Sequence, residues 1–164
     1  MARGWASFVV MNRSMTALAT LALAAVVALA GFAAIASSAT SKPATVKTGT
    51  SALGRIVVDG KSHTLYLFAK DKNGKSACSG ACAQNWPPLL TKGKPTAGPG
   101  AKASLLGTTK RADGTTQVTY NKHPLYTFIA DQGKRGSTKG ERVDAFGGIW
   151  YVVAAKGTAR TGRY

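Results

Sequence analysis

The chain has 164 residues, 45% of them hydrophobic, and carries 22 Lys and Arg against 6 Asp and Glu, a formal net charge of +16. That length makes a single domain the default. Such a charge favours contact with polyanions, but no nucleic-acid-binding motif accompanies it, which excludes sequence-specific nucleic-acid recognition as a reading.

Residues 1–39 read as a secretory signal peptide. Arg3 and Arg13 supply the positive start, an uncharged run occupies 17–36, and Ala34-Ile35-Ala36 and Ser37-Ser38-Ala39 each fit the small-x-small rule for cleavage. The run of about 20 residues is longer than the usual signal core of roughly 7–15 and long enough to cross a bilayer, so an uncleaved membrane anchor is the alternative. Its alanines drive insertion weakly and the two sites suit removal; the expectation is export with cleavage, to a secreted or cell-envelope location. The exported chain keeps a net charge of +14, from 20 basic and 6 acidic residues. Its lysines are scattered singly among Gly, Thr and Ser, a pattern of solubility and loose adsorption to an anionic cell-wall polymer or a membrane surface. A monomer is expected.

Residues 40–52, rich in Ser, Thr, Ala and Lys, predict a flexible linker. A β domain follows over 53–155, with repeat one at 54–90 and repeat two at 105–155, separated by a Lys-, Gly- and Pro-rich loop at 92–100. Ile56 and Val58 share one face of a strand that Asp59-Gly60 turns back into 65–69. In the second repeat a hairpin at Asp113-Gly114 joins 105–111 to 115–120, and Asn121-Lys122 leads into 125–129. Tyr and Phe occupy one face of each returning strand. The other face carries Leu65, Leu67 and Ala69 in one copy and Leu125, Thr127 and Ile129 in the other, so both faces are largely apolar, as in a central strand. A last strand covers 149–154. One segment alone predicts a helix, 77–85, with Ser76 as N-cap and Pro87-Pro88 as its stop. Residues 156–164 form a basic tail, expected to fray. The fold class is mainly β: a single antiparallel β domain built from two copies of a hairpin repeat, with one short helix.

The repeat emerges when the sequence is slid by sixty residues. His63-Thr64-Leu65-Tyr66-Leu67-Phe68-Ala69-Lys70-Asp71 then falls on His123-Pro124-Leu125-Tyr126-Thr127-Phe128-Ile129-Ala130-Asp131, with His, Leu, Tyr, Phe and Asp identical, and Val58 falls on Val118 upstream. Strand periodicity places Tyr66, Phe68, Tyr126 and Phe128 in the core, and Asp71 and Asp131 are expected to accept backbone hydrogen bonds in turns. The two cysteines, Cys78 and Cys82, lie four apart and in an oxidising compartment predict a disulfide. On one helical turn their Cα atoms would be about 6 Å apart, within bridging range.

His63 and His123 allow two readings. Each caps its turn, or, if the copies pack about a pseudo-twofold axis, the rings converge on copper, zinc or haem iron, with the cysteines as further ligands in a zinc or copper set. A metal site needs three or four convergent ligands and the spacing matches no common zinc motif, so no cofactor is the primary expectation and a metal- or redox-related protein the alternative. There is no Gly-x-Ser-x-Gly, phosphate-binding glycine loop, EF-hand loop or Cys-x-x-Cys. The chemistry-bearing residues do not suggest an enzyme, and a binding or structural module is expected.

Three signatures occur in order: Tyr-x-Phe-x-x-Asp at 66–71 and 126–131, Cys-Ser-Gly-Ala-Cys-Ala-x-x-Trp-Pro-Pro at 78–88, and Gly-Gly-x-Trp-Tyr at 147–151. Together they resemble the bacterial secreted-repeat family, predicted lipoproteins with a Tyr-x-(Phe/Trp/Tyr)-x-x-Asp motif, over nearly all of 53–155. The resemblance adds Trp86 and Trp150 to the motif residues and implies an exported, envelope or extracellular protein of no established activity. Lipoprotein members carry a lipid-modified cysteine directly after the signal. Here none precedes Cys78, so lipid anchoring is not expected.

Overall fold

The first strand of the fold, in a computed structural model that describes residues 42–161, is β1 (Thr45–Ser51), which pairs antiparallel from Val46 to Ser51 with β2 (Gly54–Asp59). Sequence composition predicts a flexible linker here, and the structure corrects it. Val46 alone is a buried aliphatic side chain in β1, so the strand is held by its backbone ladder and by a second edge, the parallel β4 (Thr96–Ala97). The signal peptide predicted at 1–39 and residues 162–164 of the tail lie outside the described residues. The nearer part of the tail is not frayed: Arg160 donates its N–H to Val152 and Ala154 its N–H to Thr158, closing a turn against the last strand.

The chain then runs through β3 (Tyr66–Phe68), the helix α1 (Ala81–Asn85), β5 (Leu106–Lys110), β6 (Thr116–Tyr120), β7 (His123–Pro124), β8 (Asp144–Ala145) and β9 (Gly148–Val152), with short 3-10 turns at Ala103–Leu105 and Ile129–Asp131. Three small sheets result, in the strand orders β2-β1-β4, β3-β9-β8 and β5-β6-β7. The fold is mainly β, as the alternating apolar pattern predicts. Helix α1 is shorter than predicted. It starts after Gly80, and Ser76 bonds the nearby Cys78 instead of capping it.

The β1–β2 hairpin and the β5–β6 hairpin are the same unit. Thr48 faces Val57 in the first and Thr108 faces Val118 in the second. The Leu65 N–H bonds the Val57 carbonyl, and the Leu125 N–H bonds the Val118 carbonyl. Val57, not Val58, therefore occupies the place of Val118. The shift arises because the second turn is one residue shorter, with Asn121 and Lys122 both at positive φ (49° and 66°), the backbone that a two-residue hairpin turn requires.

Each copy lends its last segment to the other. In repeat two, Val153 bonds Val57 and Leu65 of repeat one; in repeat one, Leu89 bonds Val118 and Leu125 of repeat two. Tyr66 and Tyr126 exchange both backbone hydrogen bonds at the centre, N to O at 2.8 and 3.0 Å. A pseudo-twofold axis thus passes between the two tyrosines.

The predicted strand over 125–129 does not continue. Thr127 donates to the Pro87 carbonyl, but Pro87 and Pro88 have no N–H to return, so the ladder stops and the chain enters the 3-10 turn that leaves Ile129 exposed. The matching strand β3 faces Trp150 to Val152, which have N–H groups, and it is regular. Both faces of β3 are buried. Tyr66 and Phe68 join one core with Trp86, Tyr126 and Trp150, while Leu65 and Leu67 join another with Val46, Val57, Val118 and Leu125.

Candidate functional site

The motif residues meet at the axis. Phe68, Trp150, Trp86 and Phe128 form one stacked column, with successive centroid distances of 4.1, 3.9 and 4.0 Å and interplanar angles of 7°, 3° and 14°. Tyr66 sets its edge against Trp86 at 5.3 Å, and Tyr126 against Trp150 at 5.0 Å. The column has the symmetry of the repeat, since Trp86 and Trp150 hold equivalent positions. Such ring pairs add about 0.5–1.5 kcal/mol each beyond the area they bury.

The tyrosine of each copy donates its hydroxyl to the aspartate of the other. Tyr66 reaches Asp131 Oδ2 at 2.7 Å and Tyr126 reaches Asp71 Oδ2 at 2.8 Å. Each carboxylate also gathers the loop downstream of it. Asp71 accepts the Ala77 N–H at 2.8 Å; Asp131 accepts the Lys139 N–H at 3.1 Å and the Ser137 hydroxyl at 2.6 Å. The aspartates therefore fasten one copy to the other, a larger part than the turn residues that the sequence predicts. Burial raises both tyrosine hydroxyls above their ordinary range, and the neighbouring carboxylates add to it.

Gly140 sits where the second loop crosses the column. A Cβ there would lie 2.7 Å from both Trp86 and Tyr66, so only glycine fits. Its N–H donates to the Tyr66 hydroxyl at 3.3 Å.

Two predictions follow from these bonds. Asp131→Ala leaves the Tyr66 hydroxyl, the Ser137 hydroxyl and the Lys139 N–H without their acceptor in a buried place. The expected loss is about 3 kcal/mol in denaturant unfolding, with less for Asp131→Asn, which keeps one acceptor oxygen; a loss below about 1 kcal/mol in the alanine variant would contradict the assignment.

The second concerns Asp71. Burial pushes its carboxyl from 3.8 up to about 6, against the opposing pull of the Ala77 N–H, the Tyr126 hydroxyl and nearby Arg111. Between those two values the folded chain holds more protons than the unfolded one. The contribution of this group is therefore full below 3.8 and is lost as pH rises through about 6. A carboxyl carbon titration by NMR should place the Asp71 midpoint near 6, and Asp71→Asn should flatten this part of the stability profile. A midpoint at the ordinary carboxylate value would contradict the burial described.

Cys78 and Cys82 form a disulfide with Cα atoms 5.3 Å apart; Cys78 precedes α1 and Cys82 lies in its first turn. The loop is pinned from the other repeat by Arg111, which donates to the Cys78 carbonyl at 2.7 Å, to Gln117 Oε1 at 2.7 Å and to Ser76 Oγ at 2.9 Å. Sequence reading missed this role, because Arg111 looks like one more scattered basic residue. It gave Ser76 only as a helix N-cap and missed Ser137; the two follow the aspartates by five and six residues, a match visible only when the copies are aligned with a gap.

The histidines are not brought together into one site. His63 bonds Asp59 through Nδ1 at 3.0 Å and borders a cavity with Asp131 and Gly133. His123 borders a different cavity with Asp71, Lys75 and Lys122, and burial lowers its pKa. Each histidine thus lies by the aspartate of the other copy. Among the described residues, no group of three or more His, Cys, Asp or Glu is placed to hold a metal ion, and both cysteine sulfurs are taken by the disulfide. The convergence that the pseudo-twofold axis suggested fails because the axis passes through the tyrosines, with one histidine on either side.

Among the described residues no helix is long and apolar enough to cross a membrane. No curated protein and no solved structure matches the chain. A family model described as a secreted repeat of unknown function matches residues 47–90 and 107–154. These two ranges begin in β1 and β5 and end in the exchanged segments that contain Leu89 and Val153, so the matched unit is the structural unit, and the chain belongs to this family of secreted repeats.

Proposed function

We propose that the chain is exported through its leader and works outside the cytoplasm as a non-catalytic binding module that adheres to anionic polymer of the cell envelope. The observation that carries this reading is how the polar residues are divided. The motif tyrosines and aspartates are consumed in bonds between the copies and the cysteines in a disulfide within repeat one, while the lysines are left on the surface with a large excess of positive charge. Opposite charge on a wall polymer would concentrate the protein there without a deep pocket.

The test is retention on an isolated anionic wall fraction. Binding at about 0.1 M salt and release at about 1 M are expected, as the screening length falls from about 10 to 3 Å. A protein that passes through at low salt, or stays bound at high salt, contradicts the reading. The alternative of a metal- or redox-related protein has less support, because His63 and His123 border separate cavities.

A further inference from the structure

The duplication supplies an internal comparison, since a feature kept only for folding should look alike in both copies. The two cavities in which each histidine meets the aspartate of the other copy do not. One border of the His63 ring is a more open space of about 610 Å³ beside Lys61, Pro88 and Leu90, with neither Asp131 nor Gly133 in it. On the side of His63 that faces Asp131 the space is about 190 Å³, and Nδ1 is held by Asp59 at 3.0 Å. The longer loop after Asp131 fills that corner.

Beside His123 the corresponding space is an open groove of about 710 Å³ between the turn at 71–75 and the turn at 121–122. The loop after Asp71 is short, closed by a bridge between Lys72 and Lys75, and leaves the groove clear. In repeat two, Tyr120 stands where Asp59 stands in repeat one. Its hydroxyl is engaged with Lys102 and Ala155, so the His123 ring has no hydrogen-bond partner among the described residues.

Thr109 and Thr119 line the same groove. They are 9% and 6% exposed, and neither hydroxyl has a protein partner among the described residues. Lys75 and Lys122 line the groove with Asn73 and Asn121, the Asn121 amide donating to the Gly157 carbonyl, and Asp71, its one carboxylate, is committed to Tyr126 and Ala77. No arginine fork and no aromatic platform is present. Lysine serves phosphate as a point charge, whereas flat bidentate groups favour arginine and bases favour aromatic faces. Hydroxyls and amides suit a polyol.

We infer that this groove binds a phosphate-bearing polyol chain, with Lys75 and Lys122 holding phosphate and Thr109, Thr119 and His123 meeting the polyol hydroxyls. The inference rests on the adhesion reading above and assigns it a place on the surface.

The test compares the full-length protein with Lys75→Gln/Lys122→Gln and with Lys94→Gln/Lys134→Gln, which removes as much charge outside the groove. The probes are poly(glycerol phosphate), polyglutamate and inorganic phosphate, followed by calorimetry and by the imidazole NMR signals. The groove variant should bind poly(glycerol phosphate) about tenfold or more weakly and the outer variant within about twofold of wild type. Polyglutamate should not tell the variants apart, and the His123 signal should move on polymer binding while that of His63 stays. Equal losses in the two variants would overturn the groove and leave adhesion by overall charge standing. Inorganic phosphate that binds as tightly as the polymer would overturn the chain as ligand. Failure of wild type to bind either polymer would remove the adhesion reading itself.

Discussion

Trp150→Ala is expected to destabilise the domain by about 3–5 kcal/mol, the usual range for truncating a buried tryptophan. Trp150 is fully buried and stands inside the column, stacked on Trp86 on one side and on Phe68 on the other, with Tyr126 against its edge. Its removal empties the centre of a structure whose copies are joined there. Since a small domain has only about 5–15 kcal/mol in total, most of the margin is at stake. Trp86→Ala should cost about as much, because Trp86 holds the equivalent place. Phe146→Ala is the control: that ring is 41% exposed, and the expected change is within about 0.5 kcal/mol. Urea unfolding of the three variants reads the difference directly. A loss below about 1.5 kcal/mol at either tryptophan would mean that the column is not the main joint.

The second large effect concerns the exchange of strands. Repeat one without repeat two lacks Trp150 to Ala154, and so loses the partner of β3, the outer partner of Ile56 and half of the ring column. Repeat two without repeat one lacks Trp86 to Leu90, which pair with Gln117, Val118 and Leu125. Each half would also keep a buried tyrosine or aspartate whose partner lies on the other half. A two-stranded hairpin with an uncovered apolar face is marginal in water. Neither half is therefore expected to fold alone, although each carries a complete copy of the sequence motif.

Much of this fold was legible in the sequence, and what was not has physical causes. The hairpins at 113–114 and 121–122 follow from turn chemistry between alternating runs, and the two-sided burial of Leu65 to Phe68 from an unbroken apolar stretch. β1 was not legible, because Thr, Lys, Gly and Ser dominate it and its stability comes from paired backbone rather than from side chains. The docked turn at 156–160 escaped for the same reason. The equivalence of the two tryptophans was hidden by a drift in spacing. A slide of sixty residues sets Trp86 on Phe146, whereas four extra residues in repeat two put its true counterpart at Trp150.

The crossed bonds between tyrosine and aspartate were harder still. Within one copy the motif says that both residues are needed, but not that the partner lies in the other copy. Two apolar strands, each with a tyrosine and a nearby carboxylate, offer a signal in retrospect, since a buried hydroxyl and a buried carboxylate each need a partner. The open groove at His123 had no sequence signal at all. It depends on one turn being short and its counterpart being long, which only the folded chain relates to each other.

Separate expression of residues 40–104 and 105–164, followed by mixing, tests most directly whether the repeats form one interlocked unit. Amide NMR spectra of each half alone should be those of an unfolded chain, and an equimolar mixture should recover the dispersed spectrum of the intact protein. A dispersed spectrum with cooperative unfolding from either half by itself would contradict it.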